Sequence, residues 1–190
     1  MKIRFKEVQP GDILGIYIGN GCYAYMRLLY MIAGHTYLCE VFEFKSTKLE
    51  FTEEILHANQ LTPLVSANWK AYLDPKFWHG EVVHRDNSFT PPIDRISDAR
   101  LMNVSQIIKF NMNWTPNSDQ MLIMAEDVWD EEKHAALSKK HANLELYDNP
   151  EKLICEIRNK LKLKPTLDYK DRTKRMEIFN WLKNNKVYLG

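Results

Sequence analysis

The chain has 190 residues, of which 45% are hydrophobic and 27% are charged, and its net charge is +1. This is the composition of a folded globular protein and excludes a disordered chain. The three cysteines have no CxxC spacing, which argues against a disulfide framework. The charges at Lys6 and Glu7 argue against a signal peptide. No apolar segment approaches the roughly 20 residues that span a bilayer. We therefore expect a cytoplasmic protein with no membrane association.

The first predicted element is a β-hairpin within residues 9–30, with its turn at Asn20-Gly21. Asn and Gly accept the positive φ of a two-residue hairpin turn, and apolar residues flank the pair on both sides. This turn centre predicts that Ile18 pairs with Tyr23, and that the following pairs stay in step along both strands. Because large apolar side chains occur on both faces, we expect the hairpin to be central in its sheet and covered on both sides.

Residues 35–45 predict a third antiparallel strand, so that the N-terminal part forms a β-meander that curls into a small barrel-like sheet. Glu40 and Glu43 interrupt this strand and suggest that it ends near water. Its apolar side chains divide by alternation into two sets: Leu38, Phe42 and Phe44 on one face, and Tyr37, Cys39 and Val41 on the other.

The middle of the chain predicts shorter elements. A helix is expected at residues 52–58, two strands within residues 67–83, and a loop at residues 86–92, where Asn, Ser and Pro are frequent. Residues 93–110 fit either strand or helix. Residues 121–125 predict a strand or the start of the next helix.

The last third of the sequence predicts helices. A charged helix from about Glu126 to His141 has only a thin apolar stripe and should lie on the surface. Asn149-Pro150 is a typical helix start, and apolar residues at helical spacing predict an amphipathic helix at residues 150–162. A final helix is expected at residues 172–184.

These elements predict one α+β domain over residues 1–190. Residues 1–125 should be mainly sheet, and residues 126–190 should be mainly helical and packed on that sheet. The charge is uneven: residues 1–150 hold 15 Lys and Arg against 20 Asp and Glu, or −5, whereas residues 151–190 hold 11 against 5, or +6. Such a bipolar chain can steer a charged partner to one end.

The sequence has no recognisable catalytic or metal-binding pattern. His79 and His84 are five residues apart on a predicted strand, so they point to opposite faces. His134 and His141 are seven apart, whereas ligand pairs on one helix are typically four apart, as in HExxH. There is neither a GxSxG motif nor a Gly-rich phosphate-binding loop. We expect no catalytic residues, no metal site, no cofactor and no enzymatic activity.

A nucleic-acid-binding small barrel is the alternative. Tyr23, Tyr25 and Arg27 alternate onto one face of the second strand, as do the aromatic and basic residues on which small barrels stack bases. The same tyrosines are equally compatible with a buried core. The acidic balance of residues 1–150 argues against contact with phosphate, so nucleic acid is the second hypothesis.

The hairpin also carries a short signature: Gly-Asp, an apolar strand, a turn with Gly, and an aromatic strand that leads into Arg and aliphatic residues. It resembles a bacterial immunity-protein family of polymorphic toxin systems, immunity protein twenty-six. The family has Gly before the Arg, where this chain has Met26. The matching residues are Gly11, Asp12, Ile13, Ile16, Gly21, Tyr23, Ala24, Tyr25, Arg27 and Leu28.

This resemblance implies a cytoplasmic, non-catalytic inhibitor that binds and blocks a cognate toxin. Such a protein needs a complementary charged or aromatic surface for fast and tight association. The acidic start of the predicted surface helix suits a basic toxin, with its tryptophan as the anchor. The predicted partner-binding residues are Glu126, Asp127, Trp129, Asp130, Glu131 and Glu132.

Overall fold

The structure is a computed structural model. It describes residues 8–33, 36–69, 72, 80–102, 106–110, 123–128, 132, 143–144, 146–147, 150–166, 177, 180 and 184. The side chains of Ala33 and of residues 100–147, apart from Glu132, lie outside this description.

The described residues form a six-stranded sheet, a four-stranded sheet and three helices with described bounds, and six further described residues outside these helices are also helical. In chain order the elements are β1 (Asp12–Gly19), β2 (Cys22–Ala33), β3 (Thr36–Ser46), α1 (Glu53–His57), β4 (Val65–Asn68), β5 (Gly80–Arg85), α2 (Ile93–Ser97), β6 (Arg100–Met102), β7 (Gln106–Phe110), β8 (Ile123–Val128), β9 (Asn143–Leu144), β10 (Leu146–Tyr147) and α3 (Pro150–Lys160).

The larger sheet has the strand order β10-β4-β3-β2-β1-β5, and the smaller one has the order β8-β7-β6-β9. Neighbours in the larger sheet are antiparallel, except that β10 runs parallel to β4. The fold is therefore α+β, and the predicted meander β1–β2–β3 is confirmed. The predicted barrel-like closure is wrong, because β5 and β10 lie at opposite ends of an open sheet and do not pair.

The predicted hairpin turn is confirmed. Asn20 and Gly21 have φ values of 57° and 67°, the positive angles that a tight hairpin turn requires at both central positions. Gly19, the last residue of β1, also has a positive φ of 91°, a conformation that favours glycine. Three consecutive residues with positive φ thus turn the chain between β1 and β2.

The predicted register of this hairpin is wrong by one residue. Gly19 pairs with Cys22 as expected, but the next pair is Tyr17 with Tyr23, so that Ile18 is the extra residue of a β-bulge. Because side chains alternate along a strand, this bulge places Tyr17 and Tyr23 on the same face and moves Ile18 to the opposite one. The positive φ of Gly19 accommodates the bulge.

The hairpin is covered on both faces, as predicted. On one face, here called the α3 face, α3 packs over β1 and β2; its core residues include Leu14, Ile16, Met26, Tyr37, Cys39, Val41, Leu153, Ile154 and Ile157. The opposite face, called the α1/α2 face, carries two apolar clusters, one for each short helix. The cluster of α1 includes Ile13, Tyr17, Tyr25, Phe42 and, from the helix itself, Ile55. The cluster of α2 includes Leu29, Tyr30, Ile32, Leu38 and, from the helix itself, Ile96. The predicted division of β3 into two faces is therefore confirmed.

The helix predicted to begin at Glu126 does not begin there. Residues Ile123–Val128 form β8, which pairs antiparallel with β7, so hydrogen bonds to a neighbouring strand replace those of a helix. This strand, together with β9 and β10, also places sheet within residues 126–190. The amphipathic helix predicted at residues 150–162 is confirmed as α3.

The middle segments resolve the open alternatives. Of the two strands predicted within residues 67–83, the second is confirmed as β5, whereas the first is wrong beyond Asn68, where β4 ends and Trp69 and Tyr72 are helical. Residues 93–110 contain both a helix, α2, and two strands, β6 and β7. Glu177, Asn180 and Asn184 are helical, as predicted for residues 172–184, and the rest of that segment lies outside the described residues. In the described part of the chain, no helix has the length and apolar character needed to cross a membrane.

Candidate functional site

Three residues of the N-terminal signature, Gly11, Asp12 and Arg27, meet at residues 85–89, which comprise the last residue of β5 and the turn after it. Gly11 has φ +91°, and its amide N–H donates to Leu28 O at 2.8 Å. A Cβ atom at this position would lie 2.6 Å from Phe89 Cβ and 2.7 Å from Asp86 O. Glycine is therefore required here both by its backbone conformation and by the closeness of residues 85–89.

Asp12 holds the same segment through a bidentate ion pair. Its fully buried carboxylate accepts from Arg85 Nε at 2.7 Å and from Arg85 Nη2 at 2.8 Å. The backbone N–H of Gln9 donates to the same carboxylate at 3.0 Å. Planar guanidinium groups match carboxylates in this two-bond geometry, so the pair fixes the start of residues 85–89 against β1.

Arg27 contacts the end of the segment. Its guanidinium lies over the rings of Phe42 and Phe89, with centroid distances of 5.3 Å and 5.4 Å, and its Nε is 3.5 Å from Glu40 Oε1. Cation–π contacts of this kind are attractive and strengthen as water is removed. Arg27 thus links β3 to the loop between β5 and α2.

The carboxylate of Glu40 is shared with a second arginine on α2. Arg95 Nη1 donates to Glu40 Oε2 at 3.0 Å, and Arg95 Nη2 donates to Gln60 Oε1 at 2.7 Å. Glu40 was expected near water, yet it is buried, whereas Glu43 is exposed. A charged residue inside an apolar strand is the sequence signal for such a buried partner, but it does not reveal which arginine the partner is.

Asp86 forms the turn within residues 85–89. It accepts hydrogen bonds from the backbone N–H of Ser88 at 2.9 Å and from Ser88 Oγ at 2.6 Å. These bonds lower the pKa of Asp86, and the positive charges of Arg27 and His84 lower it further. Asp86 is therefore a carboxylate at neutral pH and contributes negative charge to this part of the surface.

The segment leads into α2, and this helix together with its C-cap residue exposes four side chains. Ile93 is 49% exposed, the side chain of Arg95 is 44% exposed, and Asp94 and Asp98 are also exposed. We call these four residues the α2 surface. Within the described residues no three His, Cys, Asp or Glu side chains come together to hold a metal ion. The arginines occupy the carboxylates of Asp12 and Glu40, so what remains accessible is an apolar side chain with charges around it, an arrangement suited to contact with another molecule.

The other predicted site residues have different outcomes. Glu126 and Asp127 lie in β8, Glu132 is helical and exposed, and Trp129, Asp130 and Glu131 lie outside the described residues. The acidic partner-binding face therefore stays a prediction.

Base stacking on β2 is wrong as a hypothesis, because the tyrosines that would form the platform are buried. Tyr25 donates its hydroxyl to Lys48 O at 2.7 Å, and Tyr23 packs edge-on against Tyr17 with ring centroids 5.5 Å apart. Burial raises the pKa of both Tyr23 and Tyr25. Gly21, another signature residue, is part of the hairpin turn. Met26, the position at which the sequence departs from the signature, is fully buried in the α3 face.

The far end of the hairpin is held separately by the C-terminal part of the chain. The fully buried Arg158 of α3 donates from Nη1 to Ile18 O and from Nη2 to Pro165 O, the latter at 3.2 Å. Loss of hydration lowers the pKa of this guanidinium. Asn20 Nδ2 donates to Lys164 O at 2.9 Å. These bonds close the hairpin turn against α3 and are structural.

No family model matches the sequence, and no curated protein or solved structure matches it either.

Proposed function

We propose that this protein is an immunity-type inhibitor that binds a cognate bacterial toxin and blocks it without catalysing a reaction. The observation that carries the proposal is the meeting of Gly11, Asp12 and Arg27 on residues 85–89. The residues that give the hairpin its resemblance to immunity proteins thereby hold residues 85–89, the segment that precedes the α2 surface in the chain. A signature of this kind suits a protein that acts by presenting a rigid surface to a partner.

The distribution of exposed charge supports a basic partner. Among the described residues before position 150, the exposed Lys and Arg side chains are Lys45, Lys48 and Arg95. The exposed acidic side chains in the same part of the chain are more numerous: Glu43, Glu50, Glu53, Glu54, Glu81, Asp94, Asp98 and Glu132. A net acidic surface increases the rate of association with a basic toxin, such as a nuclease.

The test uses the open reading frame next to the gene. We expect it to encode a large secreted toxin whose toxic domain arrests bacterial growth when it is expressed alone. Co-expression with the present chain should restore growth, and the two purified proteins should form a complex with a Kd in the nanomolar range or below. Unrescued growth, together with no binding in calorimetry, would contradict the proposal.

Nucleic-acid binding remains the second candidate, through a different surface from the one first predicted. Lys160, Lys162 and Lys164 are exposed at the end of α3 and just after it. A gel-shift measurement with DNA and RNA at two salt concentrations tests this candidate. Binding that weakens steeply with salt and needs no protein partner would favour nucleic acid over the toxin.

A further inference from the structure

We infer that the α2 surface is where the toxin docks, with Ile93 entering an apolar pocket of the toxin and Asp94 and Asp98 facing its basic side chains. This inference rests on the proposed function and specifies its surface. The α2 surface is separate in sequence from the acidic residues 126–132, which the sequence suggested. Mutations in only one of the two surfaces should therefore weaken binding of the toxin.

The first argument is that both α2 and the loop before it are fixed to the six-stranded sheet. Its preceding loop is held by the contacts of Gly11 and Arg27 with Phe89. The helix itself is held by the fully buried Ile96 and by the bonds of Arg95 to Glu40 and Gln60. A five-residue helix is not stable alone, so these contacts maintain its position before any partner arrives. A surface that is ordered in advance loses less conformational entropy on binding.

The second argument is the exposure of Ile93. Among the side chains that the structure describes, it is the exposed large apolar one. A scattered apolar side chain on a surface is ordinary, but this one stands on the helix that the signature residues hold in place. Binding energy at protein interfaces concentrates in a few side chains that fill pockets and are surrounded by polar groups that exclude water. Ile93 and its charged neighbours have this arrangement.

The third argument is the net charge of the surface. The guanidinium of Arg95 is 3.0 Å from the Glu40 carboxylate, which counters its positive charge. Among the described residues neither Asp94 nor Asp98 forms an ion pair, so their negative charges dominate the outer side of α2. The partner that fits is a protein surface with an aliphatic pocket bordered by Lys or Arg side chains.

The experiment measures binding of a catalytically inactive toxin domain, from the adjacent open reading frame, to immobilised variants of the full chain. Ile93→Ala tests the apolar anchor, and Asp94→Lys with Asp98→Lys tests the charges. The control variant carries Asp130→Lys and Glu131→Lys in the competing acidic stretch. We expect Ile93→Ala to raise the Kd about 30-fold or more, the α2 charge reversal to slow association about tenfold, and the control to change either constant less than about threefold. Because Ile93, Asp94 and Asp98 are exposed, unchanged thermal unfolding should show that all variants fold.

The outcomes separate the inference from the proposed function. If the unmodified chain does not bind the toxin domain, the proposed function fails. If the unmodified chain binds and Ile93→Ala binds equally well, the proposed function stands and the α2 surface is wrong. Loss of binding in the control variant alone would assign the interface to residues 126–132 instead.

Discussion

The two faces of the six-stranded sheet are closed in different ways. On the α3 face, a helix of eleven residues buries Leu153, Ile154, Cys155 and Ile157 against the hairpin. On the α1/α2 face, each five-residue helix contributes a single buried isoleucine, Ile55 or Ile96. A helix that buries so little apolar surface cannot hold itself in place, so ion pairs and cation–π contacts complete the attachment.

The face with directional contacts is the one on which the molecule can present a specific surface. The α3 face is closed by apolar contacts, which stabilise the fold but carry little directional information. The α1/α2 face is fixed by directional contacts among Arg27, Glu40 and Arg95, which set the positions of the exposed residues of α2. The ion pair of Asp12 with Arg85 joins β1 to the edge strand β5. Four substitutions test whether the two faces depend on different forces.

The largest effect is expected for Asp12→Ala. The change leaves the partly buried guanidinium of Arg85 without the carboxylate that it contacts at 2.7 Å. Removing one partner of a buried ion pair typically lowers the free energy of unfolding by about 4 kcal/mol. Urea denaturation of the variant measures this loss. The exposed Asp94→Ala is the matched control, and it should change the free energy of unfolding by less than about 0.5 kcal/mol. Equal effects of the two substitutions would contradict the role given to Asp12.

Leu153→Ala should have a somewhat smaller effect on the α3 face. Leu153 is fully buried in the cluster that joins α3 to β1 and β2. Truncation removes buried apolar surface and leaves a cavity, which lowers the free energy of unfolding by about 3 kcal/mol. Unlike the loss at Asp12, this loss should not depend on NaCl concentration. Lys160→Ala on the exposed side of α3 serves as the control, and a loss as large as that of Leu153→Ala would contradict the role given to packing.

The α3 face should also respond to alkaline pH, through Tyr37. Burial raises the pKa of Tyr37 to about 12, above its ordinary value of 10, and its hydroxyl donates to Val8 O at 3.0 Å. Because the folded state keeps the proton more tightly, its contribution is complete below pH 10 and is lost as the pH rises towards 12. The shift corresponds to a loss of about 2 kcal/mol across this range.

Urea denaturation at a series of pH values between 9 and 12 measures this loss. Tyr37→Phe removes the titrating group and should flatten the pH dependence by the same amount. Burial also raises the pKa of the neighbouring Cys39, so some alkaline sensitivity should survive the substitution. An unaltered pH profile in Tyr37→Phe would show that Tyr37 does not carry the effect.

The smallest effect is expected for Glu40→Gln on the α1/α2 face. The substitution keeps the shape of the side chain but removes the charge shared by Arg27 and Arg95. Since Arg95 is 44% exposed, solvent reduces the interaction, and we expect a loss of about 1 kcal/mol that shrinks as NaCl is added. Thermal unfolding at two NaCl concentrations measures it. If the loss is the same in both, the link between β3 and α2 is not electrostatic.

The sequence predicts the elements whose signals are local. Asn20-Gly21 marks the hairpin turn, alternation along β3 predicts its two faces, and helical spacing after Pro150 predicts α3. The hairpin register was wrong because a single bulge at Ile18 depends on the backbone angle of Gly19, which residue types do not reveal. The predicted start of the helix at Glu126 was wrong because pairing with β7 overrides the helical preference of an acidic segment.

The candidate site is harder to predict because its contacts join distant parts of the chain. Asp12 and Arg85 are 73 residues apart, and Glu40 and Arg95 are 55 residues apart. Gly11 and Asp12 stand out in the sequence, but they read as the start of a strand. No local pattern shows that Phe89 lies against both Gly11 and Arg27, so the site emerges only when the strands are assembled.

The bond between Ile18 and Arg158 has a consequence for synthesis of the protein. The two residues are 140 positions apart, and a ribosome adds 5–20 residues per second, so on the order of 10 s separates their appearance. Throughout that interval the apolar side of the nascent hairpin has been made but the helix that covers it has not. The growing chain therefore exposes an apolar surface that can aggregate, and molecular chaperones that bind such surfaces have a defined period in which to act.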